Sequence, residues 1–316
     1  MNTATGSEDH IRRSDSVHHQ AELLDRWDQQ YSQLGSGLFS GSVTMCRNGA
    51  ARLFREDLNL DVYQVGGLST PRIAFGFPLR FDGNCFLCGE AARIRDLLVF
   101  SGQSGFEFLS PRDFEFYGVE FDASKATDPV LAAMLDELSD VFASGRRSIR
   151  LDPSQANNLS SSLVSLFHAR AAAEATPWSA EQTNAINRQI AGSTLDCLPA
   201  DAAGGPRSER HWDVISAVRD LVRDNPYCPR SVAELTIELG ISRRTLQNVC
   251  QDILGISPVH FLRVLRLNEA RRAIEATQSV TQAATQFGFW HLSYFARDYR
   301  ALFGELPSRT LERVRR

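Results

Sequence analysis

The chain has 316 residues, 43% apolar and 23% charged, which is the make-up of a folded globular protein long enough for two domains. No apolar run approaches the roughly 18 residues of a membrane span, and MNTATGSEDHIRRSDS at the N-terminus lacks the apolar stretch of a secretory signal, so a cytoplasmic protein is expected. Six irregularly spaced cysteines fit reduced thiols, and the net charge of −4 conceals a division: residues 206–316 hold 17 Arg against 12 Asp plus Glu, so the C-terminal third is basic and the remainder acidic. Such a layout suits a polyanion-binding module joined to something else.

Residues 1–36 read as a polar leader, partly disordered and with one short helix, in which His18-His19 is inert. From 37 to 127 the chain is rich in Gly, Phe, Val and Leu and alternates with period two. In RIAFGFPLRF, for instance, Ile73, Phe75, Phe77, Leu79 and Phe81 share one face. LDVYQV and FEFLSPRDFEFYGV repeat the pattern, which predicts a small antiparallel barrel or sandwich. Phe75, Phe77 and Phe81 are either core or the lining of an effector pocket. Cys85-Phe-Leu-Cys88 is a lone CxxC without a second ligand pair, so two half-buried thiols are expected rather than a redox or zinc site.

Between 128 and 198 the period turns helical, with PVLAAMLDELSDVF as one stripe and Leu159, Leu163, Val164, Leu166 and Phe167 as another. These helices suit packing or a homodimer interface. PADAAGGPRSER over 199–210 is the linker, with two prolines, a glycine pair and no apolar period.

From 211 to 316 short helices follow one another. SVAELTIELGIS aligns with SVTQAATQFGFW, so that Ser231, Val232 and Gly240 match Ser279, Val280 and Gly288 at a constant offset of 48, and Gly255 and Pro258 match Gly304 and Pro307 at 49. Each copy is a short helix, a turn on glycine and a longer helix, the pattern of a helix-turn-helix. In the first copy Ser242 caps the second helix and Leu246, Val249 and Ile253 face inward, leaving Arg243, Arg244, Gln247, Asn248 and Gln251 outward. The second copy turns Phe295, Tyr299 and Leu302 inward and His291, Ser293, Tyr294, Arg297 and Arg300 outward. Arg, Gln, Asn and hydroxyls are the side chains that read base edges. Arg244, Gln247, Asn248, His291, Ser293 and Arg297 are therefore expected on bases, and Ser242, Arg243 and Arg300 on phosphates. A helix from Pro258 to about Thr277 joins the copies; its ~30 Å approaches the ~34 Å between successive major-groove openings on one DNA face.

These residues carry a resemblance. Gly255-Ile-Ser-Pro258, Arg266-Leu267 with Ala270-Arg271, Gly288-Phe289, Tyr294-Phe295-Ala296-Arg297, Phe303-Gly304 and Pro307-Ser308 resemble the DNA-binding domain of the AraC/XylS family of bacterial transcription regulators. One departure is PSRTLER, where Thr310 and Leu311 stand in place of the family's aromatic residue and arginine, which bears on how the last turn docks. SRRTLQN, LRLNEARR, GFWHL and PSRTL look like the branch containing the ethanolamine-utilisation regulator. Trp27, Tyr31, Phe54-Arg55-Glu56 and Phe75-Gly76-Phe77-Pro78 carry that likeness into the front half.

The resemblance implies an α+β chain with an N-terminal cupin-like β-barrel or sandwich with flanking helices, and a C-terminal all-α domain of two helix-turn-helix units joined by a long helix. It implies a transcription activator with an operator in double-stranded DNA, RNA polymerase and a small-molecule effector as partners, ethanolamine with adenosylcobalamin in the narrower branch, and no required cofactor. A cupin metal site needs clustered histidines, and none lies between Gly37 and Phe121. With no GxSxG, Walker or GxGxxG motif, no catalytic residue or metal site is expected. The rivals are an architectural DNA-binding protein without effector response and a metal-free barrel enzyme with a helical tail.

Overall fold

The computed structural model describes residues 11–68, 72–101, 105–144, 146–172, 178–199, 210–223 and 231–315. Alternating apolar residues in the front half form β1 (Arg12–Ser14), α1 (Val17–Glu22), β2 (Trp27–Gln33), β3 (Gly41–Asn48), β4 (Ala51–Leu58), β5 (Val62–Leu68), β6 (Arg72–Asp82), β7 (Cys85–Leu87), β8 (Glu90–Ala92), β9 (Leu97–Ser101), β10 (Phe106–Ser110) and β11 (Arg112–Asp122). Then come α2 (Pro129–Ser144), β12 (Ser148–Ile149), α3 (Pro153–Ala172) and α4 (Ala180–Cys197). The strands make a sandwich of two antiparallel sheets: a large one in the order β1-β3-β4-β11-β6-β9-β12 and a small one in the order β2-β5-β10-β7-β8.

Both faces of the large sheet are covered, and β11 shows how its sequence serves both. Phe114 and Phe116 enter the core between the sheets, whereas Tyr117, Val119 and Phe121 join a second core under α2, α3 and α4. The inter-sheet core is rich in aromatic rings. Phe100 alone meets Trp27, Phe106, Phe108 and Phe116 with ring centroids 5.1–5.9 Å apart, mostly edge to face. Room for these rings comes from Gly118, paired with Gly76 across the strands; a Cβ on Gly118 would lie 2.4 Å from the Phe54 ring.

Two expectations fail here, each for a structural reason. Ile73, Phe75, Phe77 and Leu79 do face the helices, but Phe81 points into the inter-sheet core against Phe114. The β6–β11 register slips between Phe116 and Glu115, which leaves Leu79 without an opposing residue. One extra residue in a strand reverses the faces of those that follow. The polar leader is the second case. From Arg12 onward residues 1–36 are part of the sandwich, since β1 pairs with β3 and β2 with β5 along its whole length. His18 is 14% exposed and its Nδ1 lies 2.7 Å from Glu275 Oε2, so it sits at a packed junction. Burial holds its pKa below the ordinary value despite that carboxylate.

The C-terminal part consists of α5 (Arg210–Arg223), α6 (Val232–Glu238), α7 (Arg243–Leu254), α8 (Pro258–Thr277), α9 (Val280–Gln286), α10 (Leu292–Phe303) and α11 (Pro307–Val314). Of the linker expected over 199–210, residues 200–209 lie outside the described residues, and Arg210 already begins α5. The helices enclose a third core, to which Leu34, Tyr63 and Leu109 of the sandwich also belong. Trp212 of α5 meets Tyr63 edge-on at 6.1 Å, and Arg219 is paired with Glu107.

β2 is an edge strand, and α8 closes that edge with side chains. Asn268, fully buried, accepts from Gln33 N (2.8 Å) and donates to Gln33 O (2.9 Å), the two bonds a neighbouring strand would make. Arg272 donates to Tyr31 O (2.8 Å). In return Gln33 Nε2 donates to Leu302 O of α10 at 2.7 Å. Asn268→Ala leaves both buried Gln33 groups without a partner and should cost roughly 2–4 kcal/mol. Chemical denaturation of the full chain checks this, and Asn268→Asp should restore less than half because its carboxylate cannot donate.

Glu56, fully buried at the junction of α1 and β2, accepts from Gln20 Nε2 and Tyr31 OH, both at 3.0 Å. Burial pushes its pKa up to about 7. The folded chain therefore keeps this proton while the unfolded chain releases it near the ordinary glutamate value. Its contribution to stability is full below the unfolded pKa and is lost as pH rises through 7. Glu56→Gln should melt higher than the parent chain at about pH 8, by about 1–3 kcal/mol, with the gain gone near pH 4.

Candidate nucleic-acid interface

In both copies of the repeat a serine begins the first helix, Ser231 for α6 and Ser279 for α9, each accepting from the backbone N–H three residues on. The turns are made by Gly240 (φ 62°) and Gly288 (φ 75°), and the second helices end at Gly255 (φ 67°) and Gly304 (φ 72°). A left-handed backbone at these points is what permits the sharp exit of α7 and α10. At Gly304 there is a second constraint, because a Cβ would stand 2.8 Å from the backbone of Leu38 in the sandwich.

α7 buries Leu246, Val249 and Ile253 together with Cys250, and α10 buries Phe295, Tyr299 and Leu302 together with Phe303. Arg243, Arg244, Gln247 and Asn248 on α7 are all exposed, as are His291, Ser293, Arg297 and Arg300 on α10. The two sets lie on separate helices, one before and one after the 20-residue α8 in the chain, and α10 packs alongside α8 through Arg263 and Asp298 at 3.7 Å. Ser242 is occupied locally: its Oγ accepts from Thr245 N at 3.0 Å and lies 2.9 Å from Thr245 Oγ1. Arg297 is held flat over the Tyr294 ring, 5.0 Å from its centre, and donates to Asp298. That arrangement presents a planar, pre-oriented fork.

Several arginines that make the region basic do not reach this surface. Arg266 is 8% exposed, donates to Phe287 O at 2.7 Å and covers the Phe289 ring, and so braces the second turn. Arg271 is 2% exposed, stacks on Phe303 and pairs with Glu305 at 3.0 Å. Glu305 also accepts from Thr310, whose hydroxyl bonds Tyr299 OH at 2.7 Å. The buried Thr310 and the partly buried Leu311 thus dock α11 on the core, which settles the part of the chain where the family motif is not followed.

Sequence reasoning placed Tyr294 outward but missed Trp290 and Leu292 beside it at the entry to α10. Trp290, Leu292 and Tyr294 are 61%, 42% and 58% exposed, flanking His291 and Ser293. Large exposed apolar side chains beside polar readers match thymine methyl groups. The signal was present in GFWHLSY, where Trp290 precedes the inward stripe and so has no core to fill. Among the described residues no group of three His, Cys, Asp or Glu side chains is placed to hold a metal. Cys85 is buried, and desolvation raises the pKa of both Cys85 and Cys88, the reverse of a reactive thiolate. No described helix is long and apolar enough to cross a membrane.

Comparison with known proteins bears on the same region. A helix-turn-helix domain model matches residues 235–313. The probable thc operon regulatory protein of Rhodococcus erythropolis is 33% identical over 105 residues, 32% of this chain and 32% of that protein, so the chain spans about a third of that relative's length. The XylDLEGF operon transcriptional activator 2 of Pseudomonas putida is 36% identical over 134 residues, 39% of this chain and 80% of that one. A crystal structure of a probable AraC family transcriptional regulator from Rhodopseudomonas palustris is 38% identical, covering 32% of this chain and 97% of that chain, with a TM-score of 0.29.

Asn248→Ala should cost ~1–3 kcal/mol at one base pair only, and Trp290→Ala should weaken binding where thymine is present and not where uracil replaces it. Arg300→Ala should weaken all sequences alike and reduce the salt slope by about one. Binding to a randomised operator set at several salt concentrations separates the three; a uniform loss for Asn248→Ala would remove it from the readers.

Proposed function

The chain belongs to the AraC/XylS family of helix-turn-helix transcription regulators, and on that premise we propose that it activates an operon by binding an asymmetric operator with α7 and α10 in successive major grooves, under control of a small molecule sensed by the sandwich. The observation that carries this reading is the pair of exposed side-chain sets on α7 and α10, the helices that precede and follow one rigid, largely buried 20-residue helix, α8, in the chain. Arg244, Gln247 and Asn248 read one groove segment, and His291, Ser293 and Arg297 the next. Arg243 and Arg300 anchor on phosphate, where the attraction is large and indifferent to sequence. Ser242 acts through the N-terminus of α7, its hydroxyl being spent on the cap.

A regulator needs a difference in free energy between two arrangements of sensor and reader. The contacts able to supply one are those of β2 and β5 with α5, α8 and α10. RNA polymerase is the partner of an activator, a second copy joined through α2, α3 and α4 fits the layout of the outer helices, and the cytoplasm is where such a protein meets its operator. The finer reading is an ethanolamine-responsive regulator with adenosylcobalamin as co-inducer. It is supported by SRRTLQN, LRLNEARR, GFWHL and PSRTL, while the relatives above are named for the thc and XylDLEGF operons.

Selection of the purified chain against a random DNA pool, with and without ethanolamine plus adenosylcobalamin, tests both levels. The expected result is one asymmetric motif with two specified segments about one helical turn apart. Protection of a single segment, or binding without sequence preference, would overturn the regulator reading. A selected motif whose affinity ignores both compounds would remove the ethanolamine branch alone.

A further inference from the structure

Between the two sheets of the sandwich lie the aromatic rings packed around Phe100. A half-open cavity of about 250 Å³ lies instead on the opposite face of the large sheet, between α3 and α4. Its floor is Phe75 and Phe77 of β6 with Leu163 of α3, all buried. Phe75 is held edge-on by Phe142 of α2 at 5.8 Å, so the floor is formed before any ligand arrives. Above it Leu159, Leu166 and Ile190 continue the apolar lining, and polar groups come from Asn158 and Ser162 of α3 and from Gln189, Ser193 and Asp196 of α4. Among the described residues lining it there is one carboxylate and no arginine, lysine or histidine.

We propose that this cavity binds a small molecule with an apolar ring and a short arm ending in an amine or other neutral or cationic donor, and that it is not a site for an organic acid. The volume suits one ring with a short arm, since an apolar protein cavity of roughly 150 Å³ already takes benzene. The ring lies on the two phenylalanines, and the arm reaches the amide and hydroxyl groups of the rim with its end near Asp196. A carboxylate ligand would meet Asp196 with no cation to offset it. Apolar floors with a few convergent polar groups are the general form of small-molecule sites. Its role as the effector site rests on the regulator reading; its existence does not.

Isothermal titration of the full chain with 2-phenylethylamine, 2-phenylethanol and phenylacetate, three probes of one shape and different charge, tests the proposal. Saturable binding is expected for the amine and the alcohol, with the amine tighter and phenylacetate weakest. Asp196→Asn should weaken the amine roughly two- to fivefold, as befits an exposed charge pair, and leave the alcohol unchanged. Ser193→Trp, which fills the cavity from the half-buried side of α4, should abolish both, with an unchanged melting temperature as the control for folding. No saturable binding by any probe, phenylacetate binding as tightly as the amine, or full binding by Ser193→Trp would each overturn it. Operator binding measured on the same preparations reports separately on the regulator reading, which survives a failed titration and fails only if specific DNA binding is absent.

Discussion

An edge strand whose open hydrogen bonds are met by helix side chains is the constraint on which the rest of this molecule depends. β2 pairs with β5 on one side only. On the other side Asn268 supplies a donor and an acceptor to Gln33, and Arg272 a donor to Tyr31. Unpaired backbone groups at such a buried seam would carry the full cost of desolvation, so the sandwich and α8 are complete only together. α8 is also the element that joins the two helix-turn-helix units. The sandwich and the helix-turn-helix region therefore share a component.

The same seam explains the placing of polar groups that look misplaced in the sequence. His18 meets Glu275 of α8, Gln20 and Tyr31 enclose Glu56, and Gln33 reaches the end of α10. Each is buried or nearly so, and each meets a partner from a distant part of the chain, although His18 Nε2 has none. Buried polar contacts of this kind add little net stability but penalise any arrangement that leaves them unmet. They select one docking of the two parts over the many that apolar contact alone would tolerate.

Much of this was legible in the residues. The duplicated serine-glycine spacing located both helix-turn-helix units, because helix caps and left-handed turns have strict local chemistry. Period-two alternation located the sandwich. What escaped was non-local. Nothing in WDQQYSQ announces a strand, since β2 is specified by its partners β5 and α8 rather than by its own alternation. The reversal at Phe81 depends on a single unpaired residue, Leu79, seen only once β6 and β11 are in register. Charge counting was similarly blind to which arginines, such as Arg266 and Arg271, are spent inside the fold. The exposed residues of α7 and α10 were reached by elimination from the buried stripe, which cannot reveal an exposed tryptophan lying just before the helix.

The contact at Gly304 carries an implication for modularity. The glycine that ends the second reading helix has no side chain partly because Leu38 of the sandwich occupies that space, and Gly37 N donates to Leu302 O at 2.9 Å beside it. The sandwich and the helix-turn-helix region are thus not interchangeable cartridges. A chimera spliced within 200–209 would inherit mismatched halves of this joint unless the segment from Trp27 to Leu38 travels with α8 and the end of α10. Recombination between related regulators should accordingly succeed in proportion to how well that small patch is matched, whatever the similarity of the remaining surface.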